Sequence, residues 1–165
     1  MIVVIGIGSP FGFDRLGWDV VDRLRTRALE APAQWGGVRL EHNERLGAPL
    51  LAQMRGARLV VLVDALQTGA EPGALTRLEL DAVQPLPTGS SSHELGVAET
   101  LALGRALGEL PPRVLVIGLE AGAQAPRTPT QAEVARLGDA VERELAEARL
   151  TRGSASAVPQ PRTSV

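Results

Sequence analysis

Three stretches of the chain are apolar almost without a break: IVVIGIG from Ile2 to Gly8, RLVVLVDA from Arg58 to Ala65 and RVLVIGLEAG from Arg113 to Gly122. They are short, rich in β-branched residues and bounded by loop-forming sequence, the pattern of strands buried on both faces. GVRLEHN and ALTRLEL alternate instead, which predicts shorter strands with one exposed face. Between the strands lie helical periodicities from Trp18 to about Ala31, Ala48 to Arg55, Glu94 to Leu107 and Thr130 to Leu150. The predicted order is therefore β-α-β-α-β-β-α-β-α. That alternation predicts a three-layer α/β/α sandwich around a twisted, mostly parallel five-stranded sheet, with one antiparallel strand where two strands follow each other. Residues 1–150 make one domain in this reading. The stretch TRGSASAVPQPRTSV, residues 151–165, is small, polar and proline-containing, and is expected to be a disordered tail.

Composition narrows the chemistry. With 165 residues and 44% hydrophobic content the chain can bury one core and hold one site. No apolar run approaches the ~18 residues of a membrane span, so no membrane association is expected. The chain opens on a strand pattern rather than a basic and apolar leader, from which a cytoplasmic location is expected. A net charge of -2 and 2% aromatic residues disfavour a nucleic-acid surface. The absence of cysteine removes disulfides, thiolate metal ligands and a cysteine nucleophile, so any metal must be met by oxygen and nitrogen.

The first strand runs into GIGSPFGFD, whose Gly6, Gly8 and Gly12 raise the possibility of a Rossmann-like nucleotide-binding module. Against it, Phe11 stands where the third fingerprint glycine should be, and Pro10 removes a backbone donor. Asp14 puts negative charge beside the phosphate position, and Glu41 comes too late to serve as the ribose-binding acid. The other reading is that the glycines let the chain leave a buried strand tightly.

Carboxylates at strand ends offer a second line of chemistry. Asp14 follows the first strand and Asp64 closes LVVLVD, so both belong at the carboxyl edge of the sheet, where open α/β folds bind ligands. His93 stands where the serine-rich turn TGSSSHELG enters a helix. Two carboxylates and an imidazole would suit Ni, Zn or Mn. Taken singly, Asp64 reads equally as a cap or loop ligand, and His93 as a solvated group. His42, among polar neighbours, reads as a surface residue. A serine hydrolase built from Ser90, Ser91 or Ser92 with His93 and Asp64 lacks the G-x-S-x-G elbow.

These motifs resemble the hydrogenase maturation proteases along most of the chain from Met1 to about Leu150. The segments that carry the resemblance are VVIGIGSPFGFDRLGWDVVDRL, VVLVDALQTGAEPGALTRLE and SSSHELGVAETLALGRALGELPPRVLVIGLEAG. It implies a hydrolase-like three-layer fold and an aspartic-type endopeptidase that trims the C-terminal extension of the [NiFe]-hydrogenase large-subunit precursor after nickel insertion. It also implies that the nickel arrives with the substrate, that no nucleotide is used and that the enzyme acts as a monomer. The family's metal-contacting residues correspond to Asp14, Asp64 and His93. In the first motif Ser9 replaces the usual asparagine, and a single acid replaces the usual pair. Aligning Gly17 with the family's glycine places Asp14 at the ligand position once one residue is omitted after Ser9; without that omission Arg15, which cannot bind a cation, falls there. Glu120, ending the third apolar run on the same edge, is a candidate substrate contact or a structural carboxylate.

Overall fold

The computed structural model describes residues 1–80, 92–122 and 127–155, apart from the side chains of 92–95 and 152–155. The three apolar runs become β1 (Ile2–Ile7), β3 (Leu59–Leu66) and β5 (Arg113–Glu120), and the two alternating runs become β2 (Val38–Asn43) and β4 (Leu75–Leu80). They form one five-stranded sheet in the order β2-β1-β3-β5-β4. Every pairing is parallel except that of β4 with β5. The antiparallel strand is thus the expected member of the β3–β4 succession, although it pairs across β5 rather than with its neighbour in sequence.

Four α-helices cover the sheet: α1 (Leu16–Glu30), α2 (Ala48–Met54), α3 (Ser92–Leu107) and α4 (Gln131–Ala155). Strand periodicity assigns their faces. Leu59, Val61 and Val63 of β3 pack with Leu16, Val20 and Leu24 of α1 and with Leu137, Val141 and Leu145 of α4. Val60 and Leu62 turn the other way, onto Leu50, Leu51 and Met54 of α2 and Val97 and Leu101 of α3. Each of these side chains is at most 6% exposed, and full burial of a Val or Leu is favourable by roughly 1.5–3 kcal/mol, so the two apolar layers are what hold helices and sheet together.

Several boundaries differ from the sequence reading, among them that of the third helix, which starts at Ser92 rather than Glu94. The first helix starts at Leu16 rather than Trp18 and is preceded by a short 3-10 turn, Gly12–Arg15. The last helix continues through Ala155, so the first five residues of the expected tail are helical; Thr151 directs its hydroxyl to the Ala148 carbonyl at 3.1 Å. The first proline of that segment is Pro159, and nothing in Thr151–Ala155 forbids the extra turn. Residues 156–165 lie outside the described residues. No helix among the described residues is long and apolar enough to cross a membrane.

Candidate functional site

The glycines of the first motif serve close backbone packing. A Cβ on Gly6 would stand 2.1 Å from the Gly17 carbonyl oxygen, and one on Gly17 would stand 2.4 Å from both the Ile7 and Val63 carbonyl oxygens. Helix α1 therefore lies directly on β1 and β3, an approach only paired glycines allow. Gly8 has φ +140, and a Cβ there would stand 1.9 Å from the Asp14 carbonyl oxygen. The 3-10 turn consequently folds back over the end of β1 and lies against β3. The glycine pattern that invited a phosphate cradle is accounted for by this seat for α1 and the turn carrying Asp14, which is half-buried.

Asp64 occupies the place where the sheet opens. Pairing of β1 with β3 ends at Gly6 and Val63, whereas β3 continues against β5 through Leu66 and Glu120. Asp64 is thus the first residue of β3 beyond the β1 pairing, not the end of the strand as its sequence position suggested. It is 1% exposed, and its Oδ1 accepts a hydrogen bond from the Ala65 N–H at 2.8 Å. By strand alternation it shares the face of Val60 and Leu62, the side on which α2 and α3 pack.

His93 is the second residue of α3. The helix is anchored beside α2 by Thr100, 3% exposed, whose hydroxyl donates to the Gly96 carbonyl at 2.6 Å and accepts from the Gly47 N–H at 2.7 Å. Leu46 packs where a side chain on Gly96 would stand. The start of α3 therefore lies at the carboxyl edge of the sheet, on the face of β3 that carries Asp64. The His93 side chain lies outside the described residues, as do Ser90 and Ser91, and among the described residues no group of three His, Cys, Asp or Glu is gathered to hold a metal ion. Asp14 and Asp64 share the carboxyl edge; the third predicted contact is placed by its backbone alone.

Glu120 proves to be structural. It is 2% exposed, and its Oε2 accepts from both the N–H and the hydroxyl of Thr68 at 2.8 Å, closing the β3–β4 connection. His42 is likewise not a free surface group. Its ring stacks on Trp18 at 5.0 Å with a 4° interplanar angle, and its Nε2 lies 3.0 Å from Asp22 Oδ1. Beside it, His42, Asn43, Glu44, Arg45, Pro49 and Gln53 line a groove of about 350 Å³ at the same edge of the sheet. Its floor is joined to the first loop by the Gly8 N–H donating to the Asn43 carbonyl at 3.1 Å. Only the alternation of VRLEHN hinted at this wall, since it turns His42 to the face of Val38 and Leu40, which pack with α1.

Comparison with known proteins places the geometry. The fold is that of a hydrogenase maturating endopeptidase from E. coli, HybD, at TM-score 0.69 and 24% identity, covering 91% of this chain and 93% of that one. It is also that of a [NiFe] hydrogenase maturation protease, HycI, from Thermococcus kodakarensis KOD1, at TM-score 0.61 and 22% identity, covering 88% and 92%. The family model described as HycI, hydrogenase maturation protease, matches residues 45–148, and the chain belongs to this family. Asp64 and His93 fall inside that match and Asp14 precedes it. The hydrogenase expression/formation protein HupD of Thiocapsa roseopersicina is 35% identical over 126 residues, 72% of this chain and 53% of HupD. HoxM of Cupriavidus necator is 31% identical over 124 residues, 73% of this chain and 59% of HoxM. The chain thus spans little more than half the length of these relatives.

Proposed function

We propose that the chain is an endopeptidase that removes the C-terminal extension from a [NiFe]-hydrogenase large-subunit precursor once nickel has been inserted, meeting the substrate's nickel with Asp14, Asp64 and His93. The observation that carries this reading is Asp64: a carboxylate 1% exposed, set just beyond the last β1–β3 pair, on the face of the sheet that α3 covers. A carboxylate at the carboxyl edge of an open α/β sheet stands where such folds bind ligands, and carboxylate with imidazole is a donor set that suits a borderline divalent cation. The turn bearing Asp14 lies against the same strand. In this mechanism two carboxylates and an imidazole hold the nickel-bearing end of the precursor at the sheet edge, and the adjacent tail is presented for hydrolysis. The chain has no cysteine nucleophile and no serine elbow, so cleavage depends on that encounter. The enzyme works as a cytoplasmic monomer with no nucleotide and no resident metal of its own.

Purified protein is mixed with the cognate precursor made with and without nickel, and the size of the large subunit is followed. Cleavage of the nickel-loaded form only is expected. Equal cleavage of both forms refutes recognition of the metal, and cleavage of neither refutes the protease assignment.

A further inference from the structure

The chain's two phenylalanines lie two residues apart and part company: Phe11 is 76% exposed, while Phe13 is 9% exposed. What covers Phe13 comes from far along the sequence. The Arg127 guanidinium, from the segment ahead of α4, lies over the ring with its central carbon 4.1 Å from the centroid. That guanidinium is itself held in a fork. Arg127 Nη1 donates to Glu133 Oε2 at 2.9 Å and Nη2 to Glu133 Oε1 at 2.8 Å. Glu133 also accepts from the N–H and hydroxyl of Thr130 at 2.8 Å, and its own N–H donates to the Thr130 hydroxyl at 3.2 Å. Thr130 and Glu133 thus form a capping box on α4, which fixes Glu133, which fixes the plane of Arg127. The planar cation, bonded along its edge, offers its face to the aromatic ring.

Asp14 follows Phe13 directly. The 3-10 turn carrying both is four residues long, has no side-chain cap at Phe11, and contains Gly12 at φ +56. So short a turn has little stability of its own, and the aim of Asp14 depends on what the turn is fastened to. Among its fastenings are the packing of Phe13 in the core beside α1, the Ser9 N–H bonded to the Asp14 carbonyl at 3.4 Å, and Arg127 over the Phe13 ring. We infer that Arg127 is a positioning residue of the site: acting through Phe13, and held by Glu133, it fixes the turn so that Asp14 meets the substrate's metal. This rests on the reading of Asp14 as a metal contact.

The test uses Ni²⁺ alone as probe, by isothermal titration calorimetry, beside processing of the nickel-loaded precursor and thermal melting without metal. Arg127→Met keeps an unbranched apolar stem and removes the fork and the charge. It is expected to weaken Ni²⁺ binding by ~10-fold or more, as loss of a supporting partner does at metal sites, and to raise KM for the precursor. Its melting temperature should change by only a few degrees. Arg127→Lys, which keeps a cation but not the planar fork, should recover part of the affinity, and it replaces Arg127→Met if that variant does not fold. The decisive measurement is the double variant: added to Asp14→Ala, Arg127→Met should cost no further affinity. A loss of the same size in both backgrounds overturns the inference. So do unchanged affinity and KM in Arg127→Met where Asp14→Ala impairs both. If Asp14→Ala binds Ni²⁺ and processes precursor like the wild type, the assignment of Asp14 itself fails, and the inference with it.

Discussion

Asp64 and Glu120 invite comparison because they differ in so little. They lie on adjacent parallel strands, Asp64 opposite Gly118 and Glu120 opposite Leu66. They are 1% and 2% exposed, and both carboxylates follow runs of apolar sequence. Glu120 spends an oxygen on two bonds to Thr68, and its backbone is enclosed as well, with its N–H bonded to the Ala74 carbonyl and its carbonyl to the Gly73 N–H. It is a staple for the β3–β4 connection. Asp64 instead stands just beyond the last β1–β3 pair, on the face that α2 and α3 cover. A buried carboxylate after an apolar run is therefore not a mark of chemistry in itself; what separates the two is their place in the sheet, Glu120 tied into the β3–β4 connection and Asp64 just beyond the last β1–β3 pair.

The largest effect should come from breaking this distinction at Asp64. Asp64→Asn keeps the shape and the bond from Ala65 but removes the charge. Processing should fall more than about 100-fold, since a direct contact outweighs the 10–100-fold cost of losing an outer-shell one, while the melting temperature moves little. Precursor processing at wild-type rate would place Asp64 with Glu120 among the structural carboxylates.

The converse holds for Glu120. Glu120→Ala removes the buried acceptor of both hydrogen bonds from Thr68 and should destabilise the protein by about 1–3 kcal/mol by urea unfolding, with processing by the folded fraction retained. Glu120→Gln should recover most of the stability, because an amide oxygen can still accept from Thr68. Lost processing in a folded Glu120→Gln protein would return Glu120 to the site.

The smallest effect concerns the carboxylate behind Arg127. The hydrogen bond from Arg127, partly opposed by burial and aided by Thr130, lowers the Glu133 pKa from 4.5 to about 2. A lowered folded-state value contributes stability that is fully present above the unfolded value and is lost as the pH falls through the folded one. The window is therefore from about pH 4.5 down to about pH 2. Glu133→Gln should flatten that part of the acid-unfolding curve and leave stability at pH 7 lower by under about 1 kcal/mol, because such pairs are weak near solvent. An unchanged acid limb would show that the pair contributes nothing to folding.

Most of the fold was legible because its information is local. Continuous β-branched runs mark β1, β3 and β5, and alternation marks β2 and β4, so element order and the antiparallel strand could be read directly. What could not be read depends on partners. Asp64 closes its apolar run in the sequence because charge interrupts apolarity, but β3 continues while β5 still offers hydrogen bonds. Glu120 and Thr68 are separated by a strand and a helix in sequence, and Phe13 and Arg127 by about two-thirds of the chain. No spacing rule connects them. His42 looks exposed among polar neighbours, and only the folded sheet turns its ring onto Trp18.

The strand order has a consequence for how the chain must assemble as it is made. Strand β4 is synthesised well before β5, yet β5 is its one partner in the sheet. Until Arg113–Glu120 emerges, β1, β2 and β3 can already be paired, while Leu75, Leu78 and Leu80 have nothing in the sheet to lie beside. The arriving strand must slot between β3 and a waiting neighbour rather than add to a finished edge. Non-local pairing of this kind slows folding and leaves strand edges open to the wrong partner. The alternation of Arg77 and Glu79 with those leucines puts charge along the waiting segment, a natural guard against pairing with another copy during the delay.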